Sequence, residues 1–153
     1  MTMKPVKFLL ICFILFGCLA RQLQADPVLM VNWLGMDLQS AYKEFGTPRE
    51  VFCYRGDKAD EDNVVFYYDD HIYLFWFENR VWTVRFDERY EKEFMGVKMG
   101  VAKEQVLEVL GSKYEEADGS LVFYLPDRGF PVRLRLFFRK NKLYDAYLYR
   151  GDY

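Results

Sequence analysis

GMDLQSAYKEFG, residues 35–46, returns without a gap as GVAKEQVLEVLG at residues 100–111. Gly35 matches Gly100, Ala41 matches Val106, Phe45 matches Leu110 and Gly46 matches Gly111, each pair 65 positions apart. A repeat of this kind sets the architecture before any shorter motif does. In the first copy Asp37 is placed to cap a helix whose apolar stripe is Met36, Leu38, Ala41, Tyr42 and Phe45. Gly46 and Pro48 then stop it. The second copy has Ala102 at the capping position and Lys113 where Pro48 maps. Helices this short are not stable alone, so their stripes must dock on a sheet.

Each copy is followed by a run rich in β-branched and aromatic residues. The first reads as strands over 50–55, 64–68, 71–77 and 81–87, and the second over 114–117, 120–125, 132–139 and 143–150. The expected class is therefore α+β. Two tandem repeats, 28–90 and 94–153, each give a helix and an antiparallel meander, with the helices on one face of a continuous sheet. Residues 28–34 read as a lead-in strand or packing arm.

The closing hairpins indicate which face is buried. Val132, Leu134, Leu136 and Phe138 alternate with Arg133, Arg135 and Arg139, which puts the apolar set against the helix. Three-residue turns would add Tyr144, Ala146 and Leu148 to that set, and in the first half Ile72, Leu74, Trp76, Trp82, Val84 and Phe86. The opposite face then carries His71, Tyr73, Phe75, Phe77, Val81 and Arg85, with Arg133, Arg135, Phe137, Arg139, Leu143, Tyr147 and Tyr149. A solvated sheet face is polar. Aromatic residues mixed with Arg are what protein interfaces are enriched in. The partner-binding candidates are accordingly Tyr73, Phe75, Phe77, Arg85, Arg133, Arg135, Phe137, Arg139, Tyr147 and Tyr149. A foreign protein, a second copy in a homodimer, the 28–34 arm or the long acidic loop would each cover such a face.

The first 25 residues read as a secretory signal. Lys4 and Lys7 precede the apolar run 8–20, which at about 13 residues is shorter than the roughly 20 of a membrane span. Leu15-Phe16-Gly17-Cys18 resembles a lipobox, which would lipidate Cys18 and attach the chain to a membrane; cleavage after Ala20 or Ala25 is the other route. Export to the periplasm is expected either way. Removing Lys4, Lys7 and Arg21 from the 21 basic residues leaves 18 against 23 acidic ones, a net charge of −5. That balance argues against a nucleic-acid partner. Cys53 is then the single thiol, expected as an apolar filler in a strand.

No catalytic constellation is visible. Asp69, Asp70 and His71 are adjacent strand residues that point to alternate faces, so no metal centre is expected there. Asp57, Asp60, Glu61 and Asp62 lack calcium-loop spacing and read as a solvated acidic loop. Neither a cofactor nor a metal is implied.

Gly35-Met36-Asp37 before an apolar helix, then Phe45-Gly46-Thr47-Pro48 and a meander closed by a hairpin containing Asn79, resembles the BamE/SmpA type of outer-membrane lipoprotein domain. The tandem arrangement resembles the β-lactamase inhibitor protein fold. The resemblance covers residues 35–150 and implies a non-enzymatic binder working through its aromatic sheet face. The expected function is an exported protein-binding module of the bacterial envelope. An inhibitor of an envelope hydrolase is the alternative, and a small-ligand carrier is a weaker third.

Overall fold

The computed structural model describes residues 30–56 and 62–152. Helix α1 (Leu38–Phe45) precedes strands β1 (Glu50–Tyr54), β2 (Asn63–Tyr68), β3 (Ile72–Phe77) and β4 (Arg80–Asp87). Helix α2 (Lys103–Leu110) precedes β5 (Tyr114–Ala117), β6 (Ser120–Leu125), β7 (Val132–Arg139) and β8 (Lys142–Arg150). All eight strands form one antiparallel sheet in the order β1-β2-β3-β4-β8-β7-β6-β5.

This corrects the expected class. The described residues are mainly β, an eight-stranded sheet with the two short helices α1 and α2 against it, and not an α+β pair of helix-plus-meander repeats. The physical reason is in the helices and the seam. Each helix has eight residues and one fully enclosed side chain, Ala41 or Val106, so neither builds a layer of its own. β4 and β8 pair from Thr83↔Tyr149 to Asp87↔Asp145, and the sheet runs through the middle without a boundary.

Both helices start and stop as their sequences dictate. Asp37 Oδ1 accepts from the Ser40 amide at 2.8 Å, whereas at Ala102 the backbone N–H donates instead to Gln105 Oε1 at 3.2 Å. Gly46 and Gly111 take positive φ of 75° and 85° to turn the chain out. The core below is aliphatic at its centre, with Leu74, Val84, Leu134, Leu136 and Leu148 at 0% exposure. Residues 30–31 form a helical turn and not a lead-in strand, and Met30, Val31 and Leu34 join this same core cluster. Residues 30–34 therefore do not cover the opposite face.

The closing hairpins correct the face assignment near their tips. Glu78–Asn79 (φ 46° and 61°) and Lys140–Asn141 (φ 48° and 63°) are two-residue turns with positive φ at both positions, the twist-matched hairpin type. Phe77 pairs Arg80 and Trp76 pairs Val81, but the next pair is Phe75↔Thr83, so Trp82 is an extra residue. In the second hairpin Phe138↔Leu143 is followed by Phe137↔Asp145, which leaves Tyr144 extra. One bulge residue shifts side-chain parity. Val81 and Leu143 are thus buried at 0% and 1%, and Trp82 and Tyr144 are only half-buried. The bulges dock the repeated motif: Gly35 N–H donates to Val81 O (2.8 Å) and Gly100 N–H to Leu143 O (2.7 Å). Val81 N–H returns to Met36 O and Leu143 N–H to Val101 O, both at 2.9 Å.

Candidate functional site: the open face of the sheet

Strand register arranges the second face into rows that run across the sheet. Glu50, Tyr67, Tyr73, Arg85, Tyr147, Arg135, Val122 and Glu115 are successive cross-strand neighbours over all eight strands. A parallel row holds Phe52, Val65, Phe75, Thr83, Tyr149, Arg133 and Tyr124. A third, on the other side of the first, holds Asp87, Asp145, Phe137 and Ser120. Of the ten candidates, the register puts Tyr73, Arg85, Tyr147 and Arg135 in one row and Phe75, Tyr149 and Arg133 in the next. Phe137 joins the third. Phe77 and Arg139 stand beside the turns of their hairpins, Phe77 past the Phe75 row and Arg139 past the Phe137 row, on opposite flanks of the three.

Aromatic and Arg side chains on this face pack sideways onto one another. Tyr67 and Tyr73 rings are 4.7 Å apart, and Tyr54 meets Phe75 edge-on at 5.9 Å. The Arg133 guanidinium lies 4.2 Å over Tyr124, and Arg139 the same distance over Tyr144. Beneath these, Val65, Tyr67 and Val122 are buried at 0%, 8% and 6% yet belong to no part of the core cluster. This face thus has a thin apolar floor of its own. Phe52, Tyr54 and Tyr124, 40%, 56% and 55% exposed, rim it on both sides. Arg135 Nη2 donates to Asp118 at 3.2 Å, and its buried Nε has no partner among the described residues.

The centre of the face is a charge cluster on the β4–β8 seam. Arg85 donates from Nε and Nη2 to the two oxygens of Asp145 at 2.9 and 2.8 Å, a bidentate pair. Its guanidinium is also 5.1 Å from the Tyr73 ring centre and 5.4 Å from that of Tyr147. Asp87, 7% exposed, accepts from Arg89 Nη2 at 2.6 Å, from the Arg89 amide at 2.9 Å and from the Tyr73 hydroxyl at 2.9 Å. Burial opposes its ionisation, but the hydrogen bonds from Arg89 and Tyr73 hold the Asp87 carboxyl below its ordinary value. Burial, with Asp87 beside one hydroxyl and Asp145 beside the other, pushes Tyr73 and Tyr147 each up to about 12. Burial works against the Arg85 charge, and the Asp145 bonds more than offset it, so its pKa is raised.

Sequence reasoning missed Tyr67, Asp87, Arg89 and Asp145. Asp87 lies two residues past Arg85 and Asp145 two before Tyr147, so the strand alternation carried the signal. Elsewhere, His71 is a turn residue (φ 62°) whose Nδ1 is 2.9 Å from the Tyr67 hydroxyl and 4.0 Å from Asp87. No three His, Cys, Asp or Glu side chains gather into a possible metal site among the described residues. Cys53 is exposed and not the expected buried filler, because β1 is an edge strand with all five residues exposed. Cys18, the signal segment 1–25 and most of the acidic loop lie outside the described residues. Asp62, at the end of that loop, accepts from Arg55 at 3.1 Å.

No family model matches the sequence, and no curated protein does. In three dimensions the chain is similar to the 1.5 Å crystal structure of an extracellular protein containing a SCP domain from Bacillus anthracis str. Ames. The TM-score is 0.52 at 13% identity, over 82% of this chain and 46% of that one. At such identity the likeness concerns the fold, and this chain spans about half the length of that structure.

Proposed function

We propose that the protein is an exported, non-catalytic module that binds another protein through the open face of its sheet. The observation that carries this reading is the pair of cross-strand rows in which aromatic and Arg residues replace the polar residues of a solvated face. Size favours a protein over a small molecule. Eight strands at about 4.8 Å each give a surface roughly 38 Å wide, and three rows add roughly 20 Å along the strands. That is on the order of 800 Å², one side of an ordinary protein–protein interface. The Tyr73–Arg85–Tyr147 centre is already hydrogen-bonded to Asp87 and Asp145, and such preorganisation lowers the ordering cost of binding.

Export rests on the 1–25 signal. It agrees with the similar Bacillus anthracis structure being that of an extracellular protein. The resemblance to BamE/SmpA domains supports a periplasmic or outer-membrane setting, with lipid on Cys18 as the anchor. Labelling with a radioactive fatty acid should mark the wild type and spare Cys18→Ser; equal labelling sinks the anchor and leaves the binding face standing.

The face itself is tested by a photoreactive amino acid placed in living cells at Phe75, Tyr124 or Arg133, with Val109 on α2 as comparison. Crosslinks to one discrete protein from the three face positions and none from Val109 are expected. No crosslink from the face, or the same products from Val109, would refute the reading.

A further inference from the structure

The two edges of the sheet are built differently. β5 is four residues long, carries Glu115 and Glu116, and follows Lys113. Short, charged edges resist strand pairing. β1 has five residues, all exposed, with Val51, Phe52 and Tyr54 at 56%, 40% and 56%. It contains no Pro or Lys and pairs β2 without a bulge. No described segment pairs with its outer side, so among the described residues its outer main-chain donors and acceptors have no strand partner. One edge is protected, and the other is an apolar template.

We propose that β1 pairs with β1 of a second copy of this chain, antiparallel and about a two-fold axis at Phe52, joining the two sheets into one. Residues facing each other across antiparallel strands share a sheet face, so a two-fold pair must set one residue against itself. Centring on Phe52 does this with compatible neighbours. Phe52 meets Phe52, Val51 meets Cys53, and the Glu50 carboxylate meets the Tyr54 hydroxyl. Centring on Val51 sets Arg49 against Cys53 and Glu50 against Phe52, and centring on Cys53 sets Val51 against Arg55.

The Phe52 register also brings Arg49 opposite Arg55, and both charges are already answered within their own chain. Arg49 pairs with Asp69 at 2.8 Å and Arg55 with Asp62 at 3.1 Å. Because β5 is acidic and short, the pairing stops at two copies and does not run on as a filament. Phe52 and Tyr54 belong to the aromatic face, so that face continues across the join. The inference is independent of the proposed function and stands even if the face has no foreign partner.

The test uses the full chain in mild detergent with Cys12, Cys18 and Cys53 replaced by Ser. Phe52→Cys is compared with Glu116→Cys on the other edge under mild oxidation, and the parent chain's mass is measured by sedimentation. The expected result is a two-chain mass for the parent, a disulfide-linked dimer from Phe52→Cys and none from Glu116→Cys. Phe52→Asp should return the mass to one chain with its circular dichroism unchanged. A one-chain mass for the parent, or equal crosslinking at both edges, would overturn the proposal. If Phe52→Asp unfolds, the crosslinking comparison decides alone.

Discussion

Replacing Arg85 by Met should destabilise the protein by about 3 kcal/mol, and replacing Asp145 by Leu in the same chain should restore most of the loss. The magnitude follows from the seam geometry. The Asp145 side chain is 11% exposed and the Arg85 side chain 30%, so the pair lies between the buried and surface limits. Exposed pairs contribute about 0–1 kcal/mol, while stripping one partner from a buried pair costs about 3–5 kcal/mol. Without Arg85 the Asp145 carboxylate keeps the Tyr147 hydroxyl at 3.4 Å, a long and weak donor. Contacts of the guanidinium over Tyr73 and Tyr147 disappear too, each about 0.5–1 kcal/mol.

The double variant removes both charges at once and leaves no carboxylate stranded, so it should lie within about 1 kcal/mol of the wild type. Urea unfolding followed by tryptophan fluorescence reads both. With a slope of about 1–3 kcal/mol/M, the single variant's midpoint should fall by roughly 1–3 M. A single variant costing less than about 1 kcal/mol, or a double variant as unstable as the sum of its singles, would refute the assignment of Arg85 as the clamp on Asp145.

Three further outcomes follow from the same geometry. The Asp87 carboxyl is held below its ordinary value in the fold, so its stabilisation is present above the unfolded value of about 3.9 and is lost as pH falls through the lower folded one. Asp87→Asn should therefore flatten the acid limb of a stability-versus-pH curve below about pH 4, and an unaltered limb would contradict the Arg89–Asp87–Tyr73 cluster. Tyr73 and Tyr147 are raised to about 12. The stability linked to their neutral form is complete below the unfolded value of about 10 and is lost as pH climbs to about 12. Ultraviolet titration should show a late-ionising tyrosine group that loses one member in Tyr73→Phe, and uniform ionisation near 10 would rule out their burial. Gly46, at φ 75° and ψ −155°, sits in a backbone region that is essentially glycine's alone, with nothing within 4 Å of an added Cβ, so Gly46→Ala should cost backbone strain alone, about 1–3 kcal/mol by thermal unfolding. A larger loss would mean that the α1 exit is packed and not merely turned.

The alternation of Val132, Leu134 and Leu136 with Arg133 and Arg135 was enough to tell the two faces of β7 apart, because a two-residue period is fixed by the pleat. It failed at Trp82 and Tyr144. A bulge is set by how Gly35 and Gly100 dock on the hairpins, a contact between distant residues that no local pattern encodes. Large aromatic residues there looked like core, and the small-volume neighbours Val81 and Leu143 took that place. The helix content was overread for a related reason. The helical spacing of residues 36–45 is real, but an eight-residue helix beside eight strands contributes little to the architecture. Cys53 was misjudged because exposure of β1 depends on its place at the sheet edge, which strand propensity does not report. Asp87 and Asp145 were readable by extending the alternation two residues, but a lone carboxylate in a strand gives no sign of the Arg that meets it from another strand.

Strand order has a consequence for how the chain is made. The central ladder joins β4 to β8, the last of the eight strands in chain order. While residues 88–141 are being synthesised, the first four strands are complete but β4 has no neighbour on its far side. That flank, Thr83 to Asp87, carries Arg85 and Asp87, charges that make a waiting edge a poor template for the wrong strand. Arg85, which later clamps Asp145 across the middle of the finished sheet, thus has an earlier use as a charge on the waiting edge before the last strand arrives.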